Sequence, residues 1–181
     1  PPRSPQPRMA IAYLCLPMLV ALEKMKLVGK TNSRLNEMLF LLIRERQYIE
    51  AKAKELALKM KGKLPIVYAP EELATVAYRF RTEINENAKQ FALNHFLPEQ
   101  NHNEISASFG LNKGSCEIFL LGHEGESKRI AKRFEILKKI MGKHFNITEV
   151  HLKGKSLLAV TFYAIQLAAL TAYYLALLNH T

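Results

Sequence analysis

Tryptophan is absent from this chain of 181 residues, and cysteine occurs only twice. Cys15 and Cys116 each sit among apolar residues, which excludes a disulfide framework and fits reduced, buried thiols. A cytoplasmic setting is the expectation that follows. The chain also lacks an initiator Met and any long apolar run behind a basic start, so Pro1-Pro2-Arg3-Ser4-Pro5-Gln6-Pro7 reads neither as a signal peptide nor as a natural beginning. A piece of a longer chain is expected. What is plentiful is apolar side chain: at 49% hydrophobic content the sequence can bury one sizeable core, and one domain is the default.

Acidic residues are outnumbered by basic ones, leaving a net charge of +10. Such a surface attracts nucleic acid, acidic membranes or small phosphorylated substrates, and charge alone does not choose among them. The Lys and Arg between residues 34 and 63 and between 128 and 143 are interleaved with Glu. They also lack aromatic residues spaced to stack on bases, so a solvated face is expected and no nucleic-acid partner.

Pro7 and Arg8 open an apolar run over residues 9–22 that reads as a buried helix, with Pro7 near its first turn and Pro17 kinking it. Over residues 32–61, Leu35, Leu39, Leu42, Ile49, Ala53, Leu56 and Met60 recur at helical spacing among charges, which predicts one long amphipathic helix on a core. A short apolar run at 64–69, bounded by Gly62 and Pro70, reads as a buried strand. Pro70, Glu71 and Glu72 then start a helix, with acidic side chains at its positive end. Leu73, Val76, Ala77, Phe80 and Ile84 give that helix one apolar face, which carries it directly into Asn85-Glu86-Asn87.

Residues 116–121 and 146–152 read as two further strands, with a helix over 127–141 stopped by Gly142 between them. Strand alternating with helix predicts a parallel sheet flanked by helices. The final run, residues 156–178, carries no charge and would be about 34 Å long as a helix, enough to cross a bilayer. Because it follows a strand after one short turn, burial against a second domain or subunit is the expectation, with no membrane partner.

Several motifs fail on their own terms. Gly154-Lys155-Ser156 resembles the end of a phosphate-binding loop, but Glu149 stands where that motif needs its first Gly. His102-Asn103-Glu104 has no second His/Cys pair at supporting spacing, so neither a metal nor another cofactor is expected. His95, His123, His144, His151 and His180 are scattered and read as surface or packing histidines. There remains the stretch from Asn85-Glu86-Asn87-Ala88-Lys89 to Pro98-Glu99-Gln100-Asn101-His102-Asn103-Glu104. It gathers carboxylates, carboxamides, a Lys and an imidazole between core-building segments, an inventory suited to proton transfer. The same residue types also fix turns and helix ends, so composition leaves a structural role equally open.

Those two motifs, with Leu97 before Pro98, resemble the paired signature of the bifunctional phosphoglucose/phosphomannose isomerases. Gln6-Pro7-Arg8-Met9-Ala10 is similar to that family's entry to its second sugar-isomerase (SIS) domain, and Leu64-Pro65-Ile66-Val67-Tyr68 to its first strand there. Gly154-Lys155-Ser156-Leu157-Leu158 and Tyr174-Leu175-Ala176-Leu177-Leu178 are similar to its last helix. The resemblance implies a three-layer helix–parallel sheet–helix SIS domain of flavodoxin-like class. Residues 1–63 would form its N-terminal helical entry and 64–181 its α/β core, together the C-terminal half of a two-domain chain.

The resemblance also implies interconversion of glucose 6-phosphate or mannose 6-phosphate with fructose 6-phosphate through a cis-enediolate. It assigns Glu86 as the base, His102 as the ring-opening acid/base contributed across a homodimer interface, and Arg8 as the guanidinium beside the enediolate. Asn85 and Asn87 would join Arg8 in binding substrate. The family's Ser/Thr-rich phosphate loop and a terminal Lys are not evident here, so the fragment alone is expected to have little isomerase activity. The alternative is a non-catalytic sugar-phosphate-binding or regulatory SIS domain.

Overall fold

The computed structural model describes residues 7–107 and 114–181, the first two of them by backbone alone. A 3-10 turn, Pro7–Ala10, leads into α1 (Ile11–Lys24), followed by α2 (Asn32–Arg44) and α3 (Arg46–Met60). Strands β1 (Leu64–Pro70), β2 (Leu93–Leu97), β3 (Cys116–His123) and β4 (Asn146–Leu152) then alternate with α4 (Ala74–Asn87), α5 (Gln100–Ala107) and α6 (Lys128–Met141), and α7 (Leu157–Asn179) closes the chain. All pairings are parallel and the strand order is β2-β1-β3-β4. That is the doubly wound order of flavodoxin-like sheets, whose helices must cross over on both faces.

Alternation along the strands sorts the core into two layers. Val67, Ala69, Phe119, Leu121, Val150 and Leu152 point to one side, where they pack with α2, α3, α4 and α7. Ile66, Tyr68, Ile118 and Leu120 point to the other, onto Phe134, Leu137 and Met141 of α6 and partly buried Ile105 of α5. Both faces of β1 and β3 are therefore covered, which is why their sequences are continuous apolar runs.

One side of the uncharged α7 is covered inside the domain, packing against α2, α3 and α4 with Ala164, Leu167, Ala168, Ala172 and Leu175 fully buried, while Leu157, Tyr173 and Leu177 stay more than half exposed. Among the described residues it is the one helix long and apolar enough to span a membrane. Its small residues let the neighbouring helices of the core approach closely.

Three expectations require correction. The helix predicted over 32–61 is two helices that break at Glu45, whose backbone sits at φ −90°, ψ 3°. Its carboxylate is drawn to Arg44 Nε at 2.8 Å and to Lys153 Nζ at 2.7 Å. The apolar run at 9–22 does form a helix containing Pro17, but no residue of that helix, Ile11–Lys24, is buried: Tyr13, Leu14 and Met18 are all more than half exposed. The stretch read as one polar connection after Asn87 holds β2 and α5.

The turn from β4 into α7 shows why the apparent phosphate loop is closed to an anion. Gly154 lies at φ +141°, where a Cβ would meet Val160 N at 2.7 Å, so the chain can enter α7 only through glycine. The helix N-terminus, a natural seat for an anion, is taken by Glu37 of α2, whose Oε1 accepts from Lys155 N at 2.6 Å and Ser156 N at 3.2 Å. Hydrogen bonding from Ser156 and then from these amides holds the Glu37 carboxyl below the usual carboxylate range.

A depressed carboxyl contributes stability above its unfolded pKa and loses it as pH falls through the folded one. Glu37→Ala is expected to cost about 1 kcal/mol at neutral pH by loss of this cap. Urea denaturation read at descending pH should show the gap between wild type and variant closing in the acid range.

Candidate active site

The exposed Glu86 projects from the last turn of α4, a helix anchored by buried Val76, Ala77, Phe80 and Ile84. Its neighbours fix that turn. Asn85 Oδ1 accepts from Ala92 N at 2.8 Å, and Asn87 Nδ2 donates to Glu83 Oε2 at 2.5 Å. Lys89, at φ +50°, takes the left-handed position that ends the helix. Asn179 of α7 completes the anchorage, with Nδ2 donating to Ala88 O and to Gln90 Oε1, each at 3.0 Å. Glu86 therefore stands on a rigid helix end.

A cleft of about 850 Å³ lies between α1, α2, α4 and α7, and its lining includes Asn87 but not Glu86, the preceding residue on α4. Leu42, Phe162 and Ile165 supply part of its apolar wall, while Arg79, Glu83 and Asn87 line it at one-turn intervals along α4. Glu83 is buried at 4% exposure and ion-paired with Arg79. Neither was singled out in the sequence, because both fall on the otherwise apolar face of α4; their i, i+4 spacing with Asn87 was the available signal. Met9 also lines this cleft. Arg8 occupies the 3-10 turn just before it, and the Arg8 side chain lies outside the described residues.

His102 is elsewhere. It is exposed on α5, which starts beyond the C-terminal end of β2, whereas Glu86 lies at the N-terminal end of the same strand. The length of β2 alone separates them by about 13 Å. The polar stretch that reads as one cluster is thus divided between opposite edges of the sheet. His95 is a partly buried packing histidine: its Nδ1 lies 2.6 Å from Glu104 Oε1, and Tyr68 OH donates to Glu104 Oε2 at 2.5 Å. Burial, followed by the Glu104 carboxylate, pushes the Tyr68 hydroxyl far above the usual phenol range.

Open sheets of this order take ligands at the crevice between β1 and β3, where the connections reverse direction. Here the last residue of β3 bonds across that place to the turn that follows β1. His123 Nδ1 accepts from Gly125 N at 3.2 Å, leaving Nε2 to donate to Glu72 Oε1 at 3.4 Å, while Glu126 Oε2 accepts from His123 N at 3.3 Å. Among the described residues no three His, Cys, Asp or Glu side chains come together as a metal site.

The layers and the strand order define a three-layer α/β domain of flavodoxin-like class. Residues 49–181 match the family described as the bacterial phospho-glucose isomerase C-terminal SIS domain, and the chain belongs to that family. It is 30% identical over 177 residues to the bifunctional phosphoglucose/phosphomannose isomerase of Thermoplasma volcanium, covering 97% of this chain and 55% of that protein. It is 33% identical to the enzyme of the same name from Caldicellulosiruptor bescii, covering 98% and 56%. The crystal structure of a glucose-6-phosphate isomerase like protein from Thermus thermophilus superposes with a TM-score of 0.57 at 26% identity, over 70% of this chain and 43% of that one. The chain spans about half the length of the curated relatives it matches.

Burial, partly offset by the His123 amide, pushes the Glu126 carboxyl above its ordinary range. A raised carboxyl binds its proton more tightly when folded, so its ionised form opposes folding as pH rises. Glu126→Gln should therefore melt at higher temperature than wild type at pH 7, with the advantage shrinking as pH falls through the carboxylate range.

Proposed function

We propose that this chain supplies the acid/base half of an aldose–ketose isomerase acting on glucose 6-phosphate or mannose 6-phosphate and fructose 6-phosphate. The observation that supports it best is that Met9 and Asn87, the chain neighbours of Arg8 and Glu86, line one cleft. Residues remote in sequence thus flank a single space large enough for a hexose phosphate.

In this reading Glu86 removes the C2 proton of the open-chain aldose and returns it to C1. The electron pair left at C2 forms the enediolate C=C bond, the carbonyl oxygen at C1 takes the negative charge, and the C2 hydroxyl proton passes to that oxygen, so that C2 becomes the carbonyl when C1 takes its proton. Glucose and mannose phosphates differ only at the carbon that loses its proton, so both meet in the same cis-enediolate. Arg8 holds the enediolate oxygens and lowers the cost of their charge. Asn85 and Asn87 keep Glu86 in reach of both carbons and contact the sugar hydroxyls. His102 opens the ring, taking the anomeric hydroxyl proton and delivering one to the ring oxygen.

The opposite placement of Glu86 and His102 favours a homodimer in which each site takes its base from one copy and its histidine from the other. The partners are a phosphorylated hexose and a second copy, in a cytoplasmic setting. A non-catalytic sugar-phosphate-binding domain is the competing reading, and the same variants decide between them.

In the full-length parent protein Glu86→Gln keeps the shape and removes the base, so isomerase activity should fall by about 10³-fold or more with the fold intact. A variant at full rate, or an inactive parent, favours the binding domain. Mixing E86Q and H102Q chains after unfolding and refolding gives a second check. Half of the randomly paired dimers then hold one site with both wild-type groups, so about a quarter of wild-type activity should return. No recovery would mean that both groups serve a site within one copy.

A further inference from the structure

We propose that Glu104 is a positioning residue for His102: bound on both carboxylate oxygens, it locks the rotation of α5 against β1 and β2. This rests on the isomerase reading above. Residues two apart on a helix point about 200° apart, whereas residues four apart share a face. On α5 the inward face therefore carries Gln100 and Glu104, and His102 points away from it, exposed.

The inward contacts are unusual for a helix seated on a sheet. Glu104 reaches a single rung: Tyr68 and His95 are register partners across β1 and β2, and each bonds one of its oxygens, at 2.5 and 2.6 Å. Gln100 is fully buried, and its Nε2 reaches Met141 Sδ at 3.4 Å. Ile105 is the apolar side chain by which α5 joins the second core layer.

An eight-residue helix does not hold itself in water, so its placement depends on these contacts. Apolar side chains would seat it as firmly but would tolerate sliding and rotation. A carboxylate bonded at both oxygens across two strands tolerates neither. Stability alone does not call for this device, whereas a proton-transfer group on the outer face does, because a displacement of about 1 Å can cost about 100-fold in rate.

The test uses the full-length parent and its fructose 6-phosphate isomerase activity. Glu104→Gln cannot accept from both Tyr68 and His95, and kcat should fall by about 10–100-fold with KM little changed. The deciding readout is non-additivity: H102Q/E104Q should be no slower than H102Q alone, because a misplaced group that is already removed cannot be misplaced again. Tyr68→Phe removes one oxygen from the same rung and should show a smaller loss with the same non-additivity, which decides the matter if E104Q fails to fold. Losses that multiply in the double variants, or full rates in the single ones, overturn the inference while leaving the isomerase reading intact. An H102Q variant at full rate overturns the reading itself and the inference with it.

Discussion

Parallel pairing of β1 with β2 is the constraint from which the rest follows. A strand cannot be joined to a parallel neighbour by a tight turn, so α4 must carry the chain back across the full height of the sheet before β2 can start. That return trip places the end of α4, with Glu86, at the N-terminal edge, and the following strand delivers α5, with His102, to the C-terminal edge. A short run of sequence thus becomes the two ends of a sheet. Because both helices pack on covered strands, neither group can swing across the distance. In the isomerase reading, a composite site is a consequence of strand pairing before it is a matter of chemistry.

The same topology creates two places where a phosphate could have bound, and both are occupied by the chain's own carboxylates. Glu37 sits on the N-terminus of α7, and the crevice between β1 and β3 holds His123 with Glu72 and Glu126. Each arrangement satisfies local donors and presents negative charge to an arriving anion. The domain is therefore poorly suited to grip a phosphate at these positions, despite its overall positive charge. In the isomerase reading this pattern fits a division of labour, with acid/base groups here and phosphate contacts from outside these residues.

What was legible in the sequence followed burial on both faces. β1, β3 and β4 stood out as apolar or alternating runs, and the α6 and α7 helices as long periodic or uncharged ones. β2 did not, because an edge strand with Asn94 and His95 in its middle gives neither signal. α5 escaped for a related reason: its inward face is Gln100 and Glu104, so polarity that normally marks solvent here marks the packed side. The break at Glu45 was hidden because the apolar spacing continues across it, while Lys153, which pairs with the Glu45 carboxylate, lies more than a hundred residues away. Glu86, by contrast, was found through a motif, and its position at the end of a packed helix followed directly from the apolar face of α4. That Glu86 and His102 would part company could not be read without β2, since only that strand reveals which edge each occupies.

The helix α1 carries the argument one step further. Its composition is that of a core element, yet none of its residues is buried, and side chains such as Tyr13 and Leu14 stay open to solvent. Covering each would contribute about 1.5–3 kcal/mol, a strong drive for some surface to pack there. Arg8 stands immediately before α1 on a 3-10 turn. In the isomerase reading, whatever covers α1 also bears on the turn whose backbone carries Arg8. In that reading Glu86 is set by α4 and His102 by α5, whereas the backbone of Arg8 belongs to the turn that enters α1. The group proposed to stabilise the enediolate is thus carried by the turn into a helix whose apolar side chains the domain leaves open to solvent.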